Sequence, residues 1–178
     1  MRIAAAVVAA LLSLGTAAPA ASLTALFFVT RECPISNQYA PEIRRICDAY
    51  AGRGVACRLV YVEPGLTDAD ARAHAAAYGH AGYPVVVDRD HALVRLAGAQ
   101  VTPEVAVLSS DGIAYLGRIN DFYAALGTPR RMVGDHTLRR ALDALLAGRP
   151  APAPRTQAIG CYIAAPDPAA AAAPRVRQ

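Results

Sequence analysis

Residues 23–30 form a near-continuous apolar run rich in β-formers, the pattern of a strand buried on both faces. Pro34 can open a helix, because the first helical residue needs no N–H partner. Behind it Ile35, Tyr39, Ile43, Ile46 and Tyr50 return at helical spacing, until Gly52 and Gly54 stop the pattern. A second strand follows at 55–62. Strand, helix and strand of these lengths make a βαβ unit, which requires parallel strands. Further along, the pattern predicts a helix at 68–78 capped by Thr67 or Asp68, a short strand at 84–87 and a short helix at 91–97. Strands at 104–108 and 113–116 flank Ser110-Asp111-Gly112 and read as a hairpin. Residues 120–134 carry no period and read as loop. Leu138, Ala141, Leu142, Leu145 and Leu146 share one side of a last helix at 138–146, with Asp135 or Thr137 as its cap.

The two ends differ from this middle. Residues 1–20 have a single positive charge at Arg2, a short apolar stretch and small residues at Ala18 and Ala20, the layout of a cleaved export signal. The apolar stretch is shorter than the ~20 residues a membrane span needs. Residues 21–148 are then the folded domain. After Gly148, Pro150, Pro152 and Pro154 alternate with small residues, which favours an extended strap over 149–163. Residues 164–178 are Ala/Pro-rich and read as a disordered tail. The formal charge is +4, carried by scattered Arg with no Lys, so neither clustering nor magnitude suggests a nucleic-acid partner. The expectation is a periplasmic or secreted protein without stable membrane insertion, in a compartment that permits disulfides.

Four cysteines, Cys33, Cys47, Cys57 and Cys161, fall after the signal region and allow three full pairings. The four histidines show no ligand spacing, read as surface or capping residues, and imply no metal site. Cys33 stands apart by position. At a helix N-terminus a sulfur faces unpaired N–H groups and the positive end of the dipole, which favour the thiolate and its reactivity. Arg31 adds to this and Glu32 opposes it. Pro41 removes a hydrogen bond inside the same helix and suggests a kink. A plain buried thiol is the alternative reading of Cys33. Cys47 near the helix end and Cys57 near the start of the next strand form a structural disulfide if their Cα atoms come within ~7 Å. Cys161 lies in a small apolar island with Ile159, Tyr162 and Ile163. Residues 148–160, at ~3.1 Å each when extended, span about 40 Å, enough to bring Cys161 back to Cys33 as a resolving thiol. A tail thiol, free or paired between chains, is the alternative.

The order of elements over 23–147, Cys33 followed eight residues later by Pro41, and Thr102-Pro103 just before the hairpin resemble the thioredoxin superfamily. The likeness is to its exported redoxin branch, the TlpA-like and AhpC/TSA-like proteins. Segments 33–42, 117–121 and Gly160-Cys161 strengthen it. The resemblance implies an α/β thioredoxin-like fold, with a central mixed sheet and helices on both faces. It also implies a nucleophilic role for Cys33, a cis peptide bond before Pro103, and Thr102 and Pro103 on the substrate side, with backbone groups open to strand-like pairing with a peptide. No bound cofactor is implied. The partners implied are protein or small-molecule thiols and disulfides, with a redox donor protein. The sequence departs from the family at Ser36, where a second cysteine is usual. A local disulfide cannot form there, although Ser36 can donate a hydrogen bond to the Cys33 thiolate. Cleavage near Ala20 would leave almost nothing before the first core strand, where the family usually has extra strands; a start site placed too late in the gene is the alternative. Function is therefore expected to be thiol–disulfide exchange through a single cysteine at a helix N-terminus. Thr30, three residues before Cys33, keeps a peroxiredoxin-like peroxidase as an alternative. A copper chaperone lacks its second cysteine, since position 37 is Asn. A non-enzymatic binding module on this fold is the third alternative.

Overall fold

The computed structural model describes residues 23–165. The export-signal reading of 1–20 lies outside the described residues, as does most of the Ala/Pro-rich tail. Among the described residues no helix is long and apolar enough to cross a membrane.

A five-stranded mixed sheet forms the centre, in the order β3-β2-β1-β5-β6. Its strands are β1 (Leu23–Val29), β2 (Val55–Tyr61), β3 (Val85–Val87), β5 (Glu104–Ser109) and β6 (Gly112–Gly117), and a two-residue strand β4 (Val101–Thr102) precedes β5. β1 and β2 run parallel, joined through α1 (Pro34–Ala51), as the βαβ reading requires. β5 returns antiparallel beside β1 and turns into β6. The alternation of strand side chains divides the core in two. Leu23, Ala25, Phe27 and Val29 face one side with Leu59, Tyr61, Val105, Val107 and Tyr115. Helices α1, α2 (Asp68–Ala77) and α4 (Thr137–Leu146) cover that side through residues such as Ile43, Ile46, Ala71, Leu138 and Leu142. Leu26, Phe28, Val60 and Ala106 face the other, which the short helix α3 (Ala92–Ala97) covers with Val94 and Ala97. The α/β class and the helices on both faces agree with the sequence reading.

Four local expectations need correction. Residues 120–134 are not plain loop: they hold a small hairpin of β7 (Tyr123–Ala125) and β8 (Thr128–Pro129). Its strands, of three and two residues, are too short to show a two-residue period. Neither Asp135 nor Thr137 caps α4. Asp135 pairs instead with Arg118 and Arg140, and a free N–H of the first turn, on Leu138, donates to the Ile119 carbonyl. His80 and His91 are buried rather than at the surface, each with Nε2 on a main-chain carbonyl, of Ala40 and Val62 respectively. Tyr162 contributes nothing to the apolar docking of the strap, since it is 87% exposed.

The strap does return across the domain. Ala151 is buried, the Leu116 N–H donates to the Pro154 carbonyl, and the Thr156 N–H donates to the Leu116 carbonyl, so the chain adds a short parallel bridge along the edge of β6. Close approach there depends on Gly117: a Cβ on it would lie 2.2 Å from Thr156 Oγ1 and 2.3 Å from the Thr156 carbonyl oxygen. Beyond this point the strap ends in β9 (Cys161–Tyr162), which pairs antiparallel with β4.

Candidate active site

Cys33 is the N-cap of α1. Its backbone is extended and its sulfur accepts from the Ser36 N–H at 3.4 Å. Pro34 occupies the first turn, and Pro41 lies inside the helix. The strand β1 ends four residues earlier, which places the sulfur over the carboxyl end of the parallel strands. The Cys33 side chain is 2% exposed. Opposite it, the Thr102–Pro103 peptide bond is cis. The Thr102 carbonyl lies 3.0 Å from Cys33 Sγ and accepts from the thiol when that is protonated. The Thr102 side chain meets the Thr30 hydroxyl at 3.3 Å, so Thr30 acts on Thr102 rather than on the sulfur.

Cys161 completes the arrangement. It pairs with Thr102 across β4 and β9, and its sulfur lies 2.7 Å from Cys33 Sγ. Both are free cysteines, Cys33 buried and Cys161 half-buried. The two thiols titrate apart. Burial pushes Cys33 up, but hydrogen bonds from Cys161 and Ser36 outweigh it and leave the thiol below its ordinary value. Burial pushes Cys161 up to about 12, helped by its hydrogen bond to Cys33 and by the negative charge there. The first proton therefore leaves Cys33, and Cys161 keeps its own as a donor to the thiolate.

Other expected contributors fall elsewhere. Arg31 does not assist the thiolate: its guanidinium and its main-chain N–H both bind the Glu63 carboxylate. Ser36 approaches through its amide, while its buried hydroxyl has no hydrogen-bond partner. The backbone of Thr102 is not open to an external peptide, because β9 of the same chain occupies it. Cys47 and Cys57 form a disulfide with Cα atoms 5.8 Å apart, joining the end of α1 to β2. Cys47 lies fourteen residues along α1 from Cys33, about 20 Å at the helical rise, too far to exchange with it inside the domain.

A group that sequence reading missed is joined to the helix that carries Cys33. Tyr123, on the small hairpin, donates to Gln38 Oε1 of α1. Burial raises its pKa, and the negative charges of Cys33 and Cys161 raise it further. Asn120 holds the hairpin in place, accepting from the Tyr39 hydroxyl at 2.9 Å and from the Phe122 N–H through the same Oδ1. Asn120 and Asp121 sit in a segment whose family likeness was visible, but nothing in the sequence ties Tyr123 to α1.

No protein-family model matches the chain, and no curated protein sequence matches it. Solved structures do. An uncharacterized conserved protein from Geobacillus kaustophilus is 24% identical with a TM-score of 0.71, over 84% of this chain and 80% of that one. A hypothetical protein from Sinorhizobium meliloti is also 24% identical, with a TM-score of 0.69 over 81% of this chain and 80% of that one. A secreted Mycobacterium tuberculosis disulfide oxidoreductase superposes on less, 51% of this chain and 64% of that one, with 18% identity and a TM-score of 0.43. The parallel β2-β1 pair beside the antiparallel β5-β6 pair, with α1 and α4 packed on one face, is the thioredoxin core, and the chain has a thioredoxin-like fold.

Proposed function

We propose that this chain is a thiol–disulfide oxidoreductase in which Cys33 is the attacking thiol and Cys161 the resolving one. The observation that carries the proposal is the 2.7 Å approach of the two sulfurs, one at a helix N-cap and the other on a strand paired to Thr102. The split between the two thiols supports the assignment of roles. Cys33, with the lowered pKa, is the better nucleophile at neutral pH, while Cys161 stays protonated until the first step is complete.

In the reducing direction the Cys33 thiolate attacks one sulfur of a substrate disulfide. A Cys33–substrate disulfide forms, and the other substrate sulfur leaves as a thiolate. Cys161 then loses its proton and attacks Cys33 Sγ. This expels the second substrate sulfur as a thiolate and forms a Cys33–Cys161 disulfide. Two electrons pass from the protein dithiol to the substrate, and a dithiol donor protein resets the pair. The same steps in reverse oxidise a substrate dithiol. Ser36 explains why the second cysteine comes from a distance: the position three residues after Cys33 holds a hydroxyl, which cannot resolve a disulfide. Residues 1–20 as a cleaved export signal, and a periplasmic or secreted location, belong to the same proposal.

Trapping tests it. With Cys161→Ser, incubation with a peptide disulfide should accumulate a stable Cys33–peptide adduct, seen as a mass increase on the intact chain. The wild-type chain should pass through that adduct and end as the internal disulfide. Equal turnover by wild type and Cys161→Ser would remove the resolving role. Rapid oxidation of Cys33 by micromolar peroxide, without reaction toward disulfides, would favour the peroxidase alternative.

A further inference from the structure

The edge of β4 lies against Cys33, with the Thr102 carbonyl 3.0 Å from its sulfur, and in this chain that edge is already filled. β9 lies on it antiparallel, with Cys161 opposite Thr102 and Tyr162 opposite Val101, and the Ile163 N–H donates to the Gln100 carbonyl. Cys33 Sγ is almost fully enclosed, and the sulfur of β9 stands against it. An incoming sulfur that bonds to Cys33 from this side must take the place of Cys161, and the chain carrying it must take the place of β9.

That seat has a steric rule. Gly160 precedes the reacting cysteine. A Cβ there would lie 2.2 Å from the Thr102 carbonyl oxygen, 2.7 Å from its carbon and 3.2 Å from the Pro103 nitrogen. All three are main-chain atoms anchored between β4 and β5, so they cannot swing aside as a flexible side chain does. Gly160 is not in the left-handed region, which leaves space rather than conformation as the reason for glycine. The position after the cysteine carries no such demand, because the Tyr162 side chain points into solvent.

We propose that β9 is an internal stand-in for the substrate. The β4 edge is a strand-binding site for an extended peptide whose reacting cysteine is preceded by glycine, and β9 and that peptide occupy the edge in turn. This rests on Cys33 being the attacking thiol. It joins binding to chemistry in one exchange of strands. The substrate displaces β9 to reach Cys33 and forms its disulfide while paired to Thr102. When β9 returns, Cys161 attacks Cys33 Sγ and the peptide loses its covalent link and its backbone seat together. Glycine before the cysteine serves as the specificity element because the rejected alternative meets fixed backbone.

The test uses the full chain with Cys161→Ser, in which Cys47 and Cys57 are tied to each other and Cys33 is the reacting thiol. Hexapeptides Ala-Ile-X-Cys-Tyr-Ile, with the cysteine as a mixed disulfide to 2-nitro-5-thiobenzoate, report attack by release of the coloured thiolate. With X as Gly the rate should exceed that with Ala or Val by at least about tenfold. Adding Gly160→Ala to the same chain should unseat β9, raise the rate with X as Gly, and preserve the preference over Val. Ellman's reagent, which has no peptide backbone, serves as the reference. If Cys33 reacts with that reagent but the three peptides react equally, the strand site is wrong while the attacking thiol stands. A Gly160→Ala chain no faster than its parent overturns the competition between β9 and substrate. If Cys33 reacts with neither reagent nor peptide, the assignment of the attacking thiol fails first.

Discussion

At the scale of single residues, the helix start sets which sulfur holds the lower pKa. The Cys33 thiolate gains the Ser36 amide and the Cys161 thiol as donors, and together they outweigh the cost of burial. Cys161 has no comparable donor set and carries the burden of a neighbouring negative charge. The two rates of alkylation should therefore separate with pH. For the reduced chain, iodoacetamide labelling of Cys33 should reach half its maximum below the ordinary thiol value of about 8.5. Cys161 should stay unlabelled across the neutral range. Peptide mass spectrometry after timed labelling measures both, and equal labelling of the two would contradict the split. Much of this was legible in the chain: Cys33-Pro34 after an apolar strand marks a helix cap whatever the family. The influence of Arg31 was not, because its partner Glu63 lies on a different loop and nothing local reveals the pairing.

Among the elements, α1 is held at both ends by different means. Its start is capped by Cys33, and its end is tied to β2 through Cys47 and Cys57. The bridge closes a loop of ten residues' separation, for which the chain-entropy model gives roughly 3 kcal/mol of stabilisation. Replacing both cysteines with Ala should lower unfolding stability by about 2–3 kcal/mol in urea titrations. The labelling rate of Cys33 should not change, since the bridge sits at the far end of the helix. A slower Cys33 in that variant would show that the bridge serves the site rather than the fold. The strands of the main sheet were legible because β1, β2 and β5 alternate between two cores or are apolar throughout. The hairpin of β7 and β8 was not, since Tyr123-Ala124-Ala125 has neither the length nor the β-branched residues of a strand. Tyr123 and its hydrogen bond to Gln38 were missed with it.

At the scale of the whole molecule, the strap turns a domain with a buried single thiol into one with a thiol pair. Its reach from Gly148 to Cys161 was calculable from chain length, but reach does not select a docking site. The selection lies in Gly117 and Gly160, where the strap meets main-chain atoms of the domain closely enough to exclude a Cβ. Both glycines stood in segments with family likeness, yet their physical reason appears only when strap and sheet are seen together. Gly117→Val should block the bridge between β6 and the strap, through a direct clash with Thr156 and a backbone angle of +151° that suits glycine. Oxidation of the reduced chain to the internal disulfide should then slow by about tenfold or more, as Cys161 becomes a tethered thiol instead of a docked one. Alkylation of Cys33 itself should not slow. Formation of the internal disulfide at the wild-type rate would show that docking along β6 is dispensable.

The central claim is that Cys33 and Cys161 are one redox pair. The most direct measurement equilibrates the wild-type chain across a series of glutathione buffers, quenches with acid, alkylates, and maps the cysteine peptides without reduction. The account predicts a reversible, two-electron conversion between alkylated Cys33 and Cys161 and a single Cys33–Cys161 linked peptide, with Cys47 and Cys57 joined to each other throughout that range. A map in which Cys33 and Cys161 are never joined at any potential, while Cys33 carries glutathione or remains free, would contradict it.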